Sequence, residues 1–186
     1  MAVPARRPLM TAEQLFELPD DGYRSELVEG ELIRMTPAGG THGVVAMRIG
    51  VLLSEYVEAH RLGVCFAAET GFILQRDPDT VRAPDVAFVA AARMPSTGIP
   101  TFYWPSAPDL AVEVLSPWDR PAEVRRKVEE YFAAGTRLVW IVDPAARTVH
   151  AHRSPHDVQV PREDDELSGD DVLPGFRCRV KQLFPQ

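Results

Sequence analysis

The sequence predicts an α/β or α+β fold, a single domain built on one mixed β-sheet flanked by helices. Three observations carry that expectation. Two almost continuously apolar stretches, Asp109–Ser116 and Arg137–Pro144, enclose a helical pattern and so form a β–α–β unit. Strands of that kind usually lie parallel and are covered on both faces. The stretches before them alternate with period two around tight turns, which adds antiparallel strands. Finally, 186 residues at 45% hydrophobic and 25% charged suit one domain with a sizeable core.

Along the chain, residues 1–10 read as a flexible N-terminus and 11–186 as the folded domain. Thr11–Leu18 is a short helix with Thr11 as N-cap and Pro19–Gly22 as its stop. SELVEGELIRM reads as two strands turning at Glu29-Gly30. The longest helix runs from about His42 to His60. Val45, Ile49, Leu52, Leu53, Tyr56 and Val57 recur on one face, and Gly63 stands where a C-cap glycine belongs. Val64–Gln75 and Val81–Val89 read as strands around Asp77-Pro78-Asp79. Ala90–Pro108, broken by Pro95, Gly98, Pro100 and Pro105, is a loop and a candidate flap. The strand Asp109–Ser116 leads to a helix over Asp119–Ala134, with Asp119 as N-cap, Pro121 in its first turn and Gly135 closing it. Thr148–Arg153 pairs back on Arg137–Pro144, and one more short strand falls near Phe176–Val180.

Composition excludes several classes. No apolar run approaches the ~18 residues of a membrane span, and MAVPARRPLM lacks the apolar stretch of a signal peptide, so a cytoplasmic protein without membrane contacts is expected. Cys65 and Cys178 fit neither zinc-ligand spacing nor a disulfide framework. The formal charge is −7, but Glu163, Asp164, Asp165, Glu166, Asp170 and Asp171 are crowded into one stretch. Read as a solvated acidic loop, that stretch leaves the remainder nearly neutral. Net charge therefore does not decide for or against nucleic acid.

Chemistry is suggested where ionisable groups interrupt apolar patterns. In Asp109–Ser116, Glu113 shares a face with Ala111 and Leu115, in the middle of a strand that should be buried. Burying an unpaired carboxylate costs several kcal/mol, so Glu113 requires a cation, a hydrogen-bond network or a cleft. Asp85 opens the preceding apolar strand; alone it reads as a turn residue, but two carboxylates on adjacent strands make a hard-oxygen site suited to Mg²⁺. Lys127 borders the Val124, Val128, Tyr131 and Phe132 stripe of the second long helix. It reads either as a snorkelling lysine or as the partner of those carboxylates. Glu26 is a fourth candidate, equally readable as a salt-bridged edge residue. His42 opens the long helix, where it could cap the helix or contact phosphate. His150 and His152 alternate on a strand with no third ligand and read as surface residues.

Pro84-Asp85, Glu113 and a downstream lysine resemble the PD-(D/E)XK nuclease superfamily, the restriction-endonuclease-like fold. ELVEGELI, RAPDVAFV, DLAVEVLSP, Lys127-x-x-x-Tyr131, Gly135 and VWIVDP, in that order from about Thr11 to Phe184, resemble the Uma-two family of bacterial restriction endonucleases. One departure from the superfamily pattern is plain: the lysine two residues after Glu113 would fall at Leu115. The resemblance implies that it has migrated to Lys127, and that Glu26 corresponds to the acidic residue of the N-terminal part of such nucleases. It implies a DNA endonuclease in which Asp85, Glu113 and the Val114 carbonyl hold Mg²⁺, or Mn²⁺ in its place, with Lys127 and Glu26 assisting. No small-molecule cofactor is implied. His42, Arg120 and Arg126 are candidate phosphate contacts, as is Arg125. Cutting two strands with one site per chain favours a homodimer. The competing expectation is a non-catalytic nucleic-acid-binding or regulatory module that keeps the fold.

Overall fold

The structure is a computed structural model that describes residues 9–19 and 22–185. The N-terminal expectation therefore lies, through residue 8, outside the described residues. The elements are α1 (Ala12–Phe16), β1 (Arg24–Val28), β2 (Glu31–Met35), α2 (Gly40–His60), β3 (Gly63–Ala67), β4 (Phe72–Gln75), β5 (Thr80–Arg82) and β6 (Val86–Ala90). They continue with β7 (Leu110–Val114), α3 (Pro121–Ala133), β8 (Leu138–Asp143), β9 (Thr148–His152), β10 (Val158–Gln159), β11 (Glu166–Ser168) and β12 (Arg177–Arg179). The α+β class holds, but the single sheet becomes three. A six-stranded sheet runs β10-β9-β8-β7-β6-β3, a four-stranded one β2-β1-β5-β4, and β11 pairs with β12. Among the strands of the described residues, only β7 and β8 pair in parallel, joined by α3 as the β–α–β pattern predicts.

Alternation sorts the large sheet into two faces. Val86, Phe88, Leu110, Val112, Trp140 and Val142 pack on Val45, Ile49, Leu53 and Val57 of α2 and on the C-terminal segment around Leu173 and Phe184. Ala111, Val139 and Ile141 face Val128 and Tyr131 of α3. The small sheet has its own core of Ala12, Leu15, Leu27, Ile73 and Val81.

The two long strands expected over Val64–Gln75 and Val81–Val89 are each broken, and each fragment joins a different sheet. Gly71 packs so closely on Tyr103 that a Cβ would lie 2.3 Å from its ring, and the intervening Glu69 takes φ 73°. At the second break, Pro84 has no N–H for a ladder, so β5 stops before it and β6 starts after it. Gly63 is not the cap of α2. Arg61 takes the left-handed C-cap conformation, and Gly63 begins β3. Likewise Arg120, not Asp119, is the N-cap of α3, while the Asp119 carboxylate accepts from the Ser116 N–H at 2.7 Å. The candidate flap is pinned: Trp104 is 3% exposed and exchanges backbone bonds with Gly71 and Ile73, and Arg93 ties Ser106 and Ala107. The acidic stretch contains β11 and is matched by cations, with Glu163 on Arg147, Asp164 on Lys181, Glu166 on Arg177, Asp170 on Arg153 and Asp171 on Arg137. His150 and His152 are half-buried rather than surface residues.

Candidate active site

Glu113 sits in β7 on the face toward α3, 9% exposed. Its charge is met by two residues one helical turn apart. Lys127 Nζ donates to Oε2 at 2.9 Å, and the Tyr131 hydroxyl donates to Oε1 at 2.7 Å. Residues i and i+4 share a helix face, so α3 delivers both donors together. The Tyr131 ring does pack in the apolar stripe, as expected; its hydroxyl role went unread, although the Lys127-x-x-x-Tyr131 spacing contained it.

Asp85 follows the Pro84 break. One step beyond the Val86–Val112 pairing, the register places it opposite Glu113. Its Oδ2 accepts from the Val114 N–H at 2.8 Å, the ladder bond that the break leaves unmade, and lies 3.1 Å from His42 Nε2. Arg24 Nη1 approaches Oδ1 at 3.8 Å. His42, in the first turn of α2, is thus engaged with Asp85. Nothing in the sequence alone singles out Arg24, which stands at the start of a hairpin.

Glu26 is 1% exposed, not an edge residue. Arg82 Nη1 meets its Oε2 at 2.7 Å, the Ala83 N–H meets Oε1 at 3.1 Å, and Lys127 Nζ lies 3.7 Å from Oε1. Arg82 then turns its other edge to Glu130, with Nε and Nη2 at 2.7 and 2.6 Å from Oε2. Glu130 also accepts from Arg126 at 2.8 Å, and Arg126 reaches Glu29 at 3.3 Å. Alternating charges therefore run from the exposed Arg126 through Glu130, Arg82, Glu26 and Lys127 to Glu113. Arg82 was also missed, though an arginine in the apolar run before Pro84 was a signal. Arg120 stays exposed and outside this chain of charges.

The groups open onto two depressions. Glu26, Arg82, Glu113, Lys127 and Arg126 line a cleft of about 290 Å³ between α3 and the hairpin of β1 and β2. Asp85, His42 and Arg24 line one of about 520 Å³ beside α2 and β3. The bond from Val114 N–H to Asp85 joins the two. Burial pushes the Glu113 carboxyl above its ordinary range, and Glu26 and Asp85 push it further, against the pull of Lys127. For Glu26 and Asp85 burial acts the same way, but their partners prevail and both lie below the usual carboxylate value: Lys127 and Arg82 for Glu26, His42 and the Val114 N–H for Asp85. Burial lowers the Lys127 ammonium, and Glu113 and Glu26 more than restore it, so it is held charged.

Among the described residues, no three His, Cys, Asp or Glu side chains form a metal cluster. The donors nearest to a hard divalent cation's chemistry are two carboxylates. Asp85 and Glu113 are hard carboxylate donors set opposite each other by the β6–β7 register, although each is already engaged, Glu113 by Lys127 and Tyr131 and Asp85 by His42 and the Val114 N–H.

The fold defines a class, mixed α+β domains with a central sheet flanked by helices. The structure shares its fold with the crystal structure of "a putative nuclease belonging to DUF820" from Anabaena variabilis, at a TM-score of 0.82 and 22% identity, covering 94% of this chain and 97% of that one. The chain belongs to the Uma2 (Uma-two) family, whose model, described as "Putative restriction endonuclease", matches residues 12–181. No curated protein matches the chain.

Proposed function

We propose that the protein is a Mg²⁺-dependent endonuclease that hydrolyses DNA phosphodiester bonds, with Mn²⁺ able to substitute. The observation that carries this reading is the meeting of Lys127 with Glu113 at 2.9 Å, one residue from the Val114 N–H that binds Asp85. Asp85, Glu113 and the Val114 carbonyl would hold the ion. The chemistry such an ion would supply is polarisation of a phosphoryl oxygen and a lowered pKa for water. Lys127, held charged and directed by Glu113 and Glu26, orients the attacking water and offsets negative charge growing on the phosphate. Tyr131 keeps Glu113 in one orientation. Glu26 acts through Lys127, and His42 and Arg24 fix the Asp85 carboxylate. Arg120 and Arg125, exposed on the α3 rim, would meet the flanking phosphates, with Arg126, already held by Glu130 and Glu29, beside them. A homodimer supplies the second site for a second strand, and a cytoplasmic location would give access to DNA; light scattering and fractionation test these two points.

The deciding experiment incubates plasmid DNA and oligonucleotides with Mg²⁺ or Mn²⁺ and the wild-type, Glu113→Gln and Lys127→Met proteins. Cleavage should fall about 10²–10³-fold or more in each variant, the scale for removing one transition-state donor, with circular dichroism unchanged. Equal cleavage by either variant overturns the assignment. Metal binding with no cleavage of any substrate identifies the binding module instead.

A further inference from the structure

The acidic residue Glu26 lies close enough to Lys127 to suggest a second metal position, yet its surroundings argue otherwise. Its Oε2 is taken by Arg82 at 2.7 Å, and its Oε1 by the Ala83 N–H at 3.1 Å with Lys127 beyond at 3.7 Å. The carboxylate is 1% exposed. Arg82 cannot swing aside, since its Nε and Nη2 are fixed on Glu130 Oε2 at 2.7 and 2.6 Å and its side chain is 7% exposed. Displacing the guanidinium would take from the buried Glu26 its nearest cation, leaving Lys127 at 3.7 Å, and a buried charge without its close partner is strongly unfavourable. The guanidinium also stays protonated at every working pH.

We infer that Arg82 occupies the place beside Glu26 that a second divalent ion would need, so the site takes one ion per chain. Arg82 is then a positioning residue, a fixed cation that leaves Glu26 free only to steer Lys127. Glu113 and Asp85 differ from Glu26 in this respect. Their close partners are the Lys127 ammonium at 2.9 Å from Glu113 and the His42 ring at 3.1 Å from Asp85, neither of them a guanidinium fixed on a second carboxylate, and Arg24 stands 3.8 Å from Asp85. The inference rests on the metal-dependent reading above, and binding stoichiometry separates the two.

The test is Mn²⁺ titration of the full chain by calorimetry, with bound ion counted by electron paramagnetic resonance. Wild-type protein should bind one Mn²⁺ per chain, and Glu26→Gln should still bind one. Arg82→Gln should admit a second Mn²⁺ by uncovering the Glu26 carboxylate, a gain that a purely structural role of Arg82 would not produce. Two ions in the wild type, falling to one in Glu26→Gln, overturn the inference, as does a folded Arg82→Gln that still binds one. If Arg82→Gln fails to fold, the wild-type and Glu26→Gln counts decide alone. Asp85→Asn should bind none. Unchanged binding by Asp85→Asn, or no binding by the wild type, overturns the metal-dependent reading itself.

Discussion

Tyr131 illustrates how one side chain serves the core and the chemistry at once. Its ring packs with Val128, Val139 and Ile141 while its hydroxyl satisfies Glu113. Tyr131→Phe keeps the packing and strands a buried carboxylate oxygen, so stability should fall by about 1–3 kcal/mol; an unmoved urea midpoint would show that Glu113 draws nothing from the phenol. The pair His42–Asp85 yields a pH dependence. The hydrogen bond to Asp85 raises His42 above its ordinary 6.5, and His42 in turn helps hold Asp85 below its ordinary 3.8. Stabilisation by a raised histidine is complete below its unfolded pKa and disappears as pH rises through the folded one. The stability gap between wild type and His42→Ala in metal-free protein should therefore be wide at about pH 6 and close by about pH 9. A gap that grows with pH contradicts the pairing. Glu113, Asp85 and Lys127 were legible because each breaks an apolar pattern. Arg24 carries no such mark and Arg82 shows only as an arginine in an apolar run, because their meaning lies in partners far along the chain, Glu26 and Glu130 for Arg82 and Asp85 for Arg24.

At the level of elements, periodicity located α2, α3, β7 and β8 because long amphipathic or fully buried segments are decided by burial. The failures sit where the chain changes sheets. Val81–Val89 carries strand-like residues throughout, and only Pro84 hinted at the break that puts Arg82 in one sheet and Asp85 in the other. That break leaves Arg82 on Glu26 and puts Asp85 opposite Glu113 in the β6–β7 register. The split in Val64–Gln75 depends on Tyr103 packing against Gly71, a contact with no local trace. A related constraint acts at Gly63, where a Cβ would lie 2.0 Å from the Val89 carbonyl oxygen and 2.9 Å from the Ala91 nitrogen. Both are backbone atoms of the neighbouring strand end, which cannot rotate away. Gly63→Ala should cost about 1–3 kcal/mol, the range for overpacking, and loosen β3 at the edge of the large sheet. Wild-type thermal stability in this variant would mean that β3 and β6 can separate without loss.

For the whole molecule, the ion pairs of the acidic stretch change the meaning of the net charge. Read as an isolated loop, Glu163–Asp171 would leave the remaining chain nearly neutral. Five of its six carboxylates instead face Arg137, Arg147, Arg153, Arg177 and Lys181, so most of the −7 falls on the rest of the surface. The cations nearest the cleft are equally committed: Arg82 to Glu26 and Glu130, Lys127 to Glu113, Arg126 to Glu130 and Glu29. Along α3 and its N-cap, Arg120 and Arg125 are exposed and form no ion pair among the described residues. Affinity for duplex DNA changes with salt by a slope of about −0.9 for each phosphate neutralised. Two unpaired arginines therefore predict a slope of about −2 for log affinity against log salt, measured by fluorescence anisotropy with the Asp85→Asn protein so that no strand is cut. Charge-reversal of Arg120 and Arg125 together should flatten that slope toward zero. A wild-type slope of about −5 or steeper would mean that DNA draws the paired cations away from their carboxylates, and the cleft would then have to rearrange as substrate arrives.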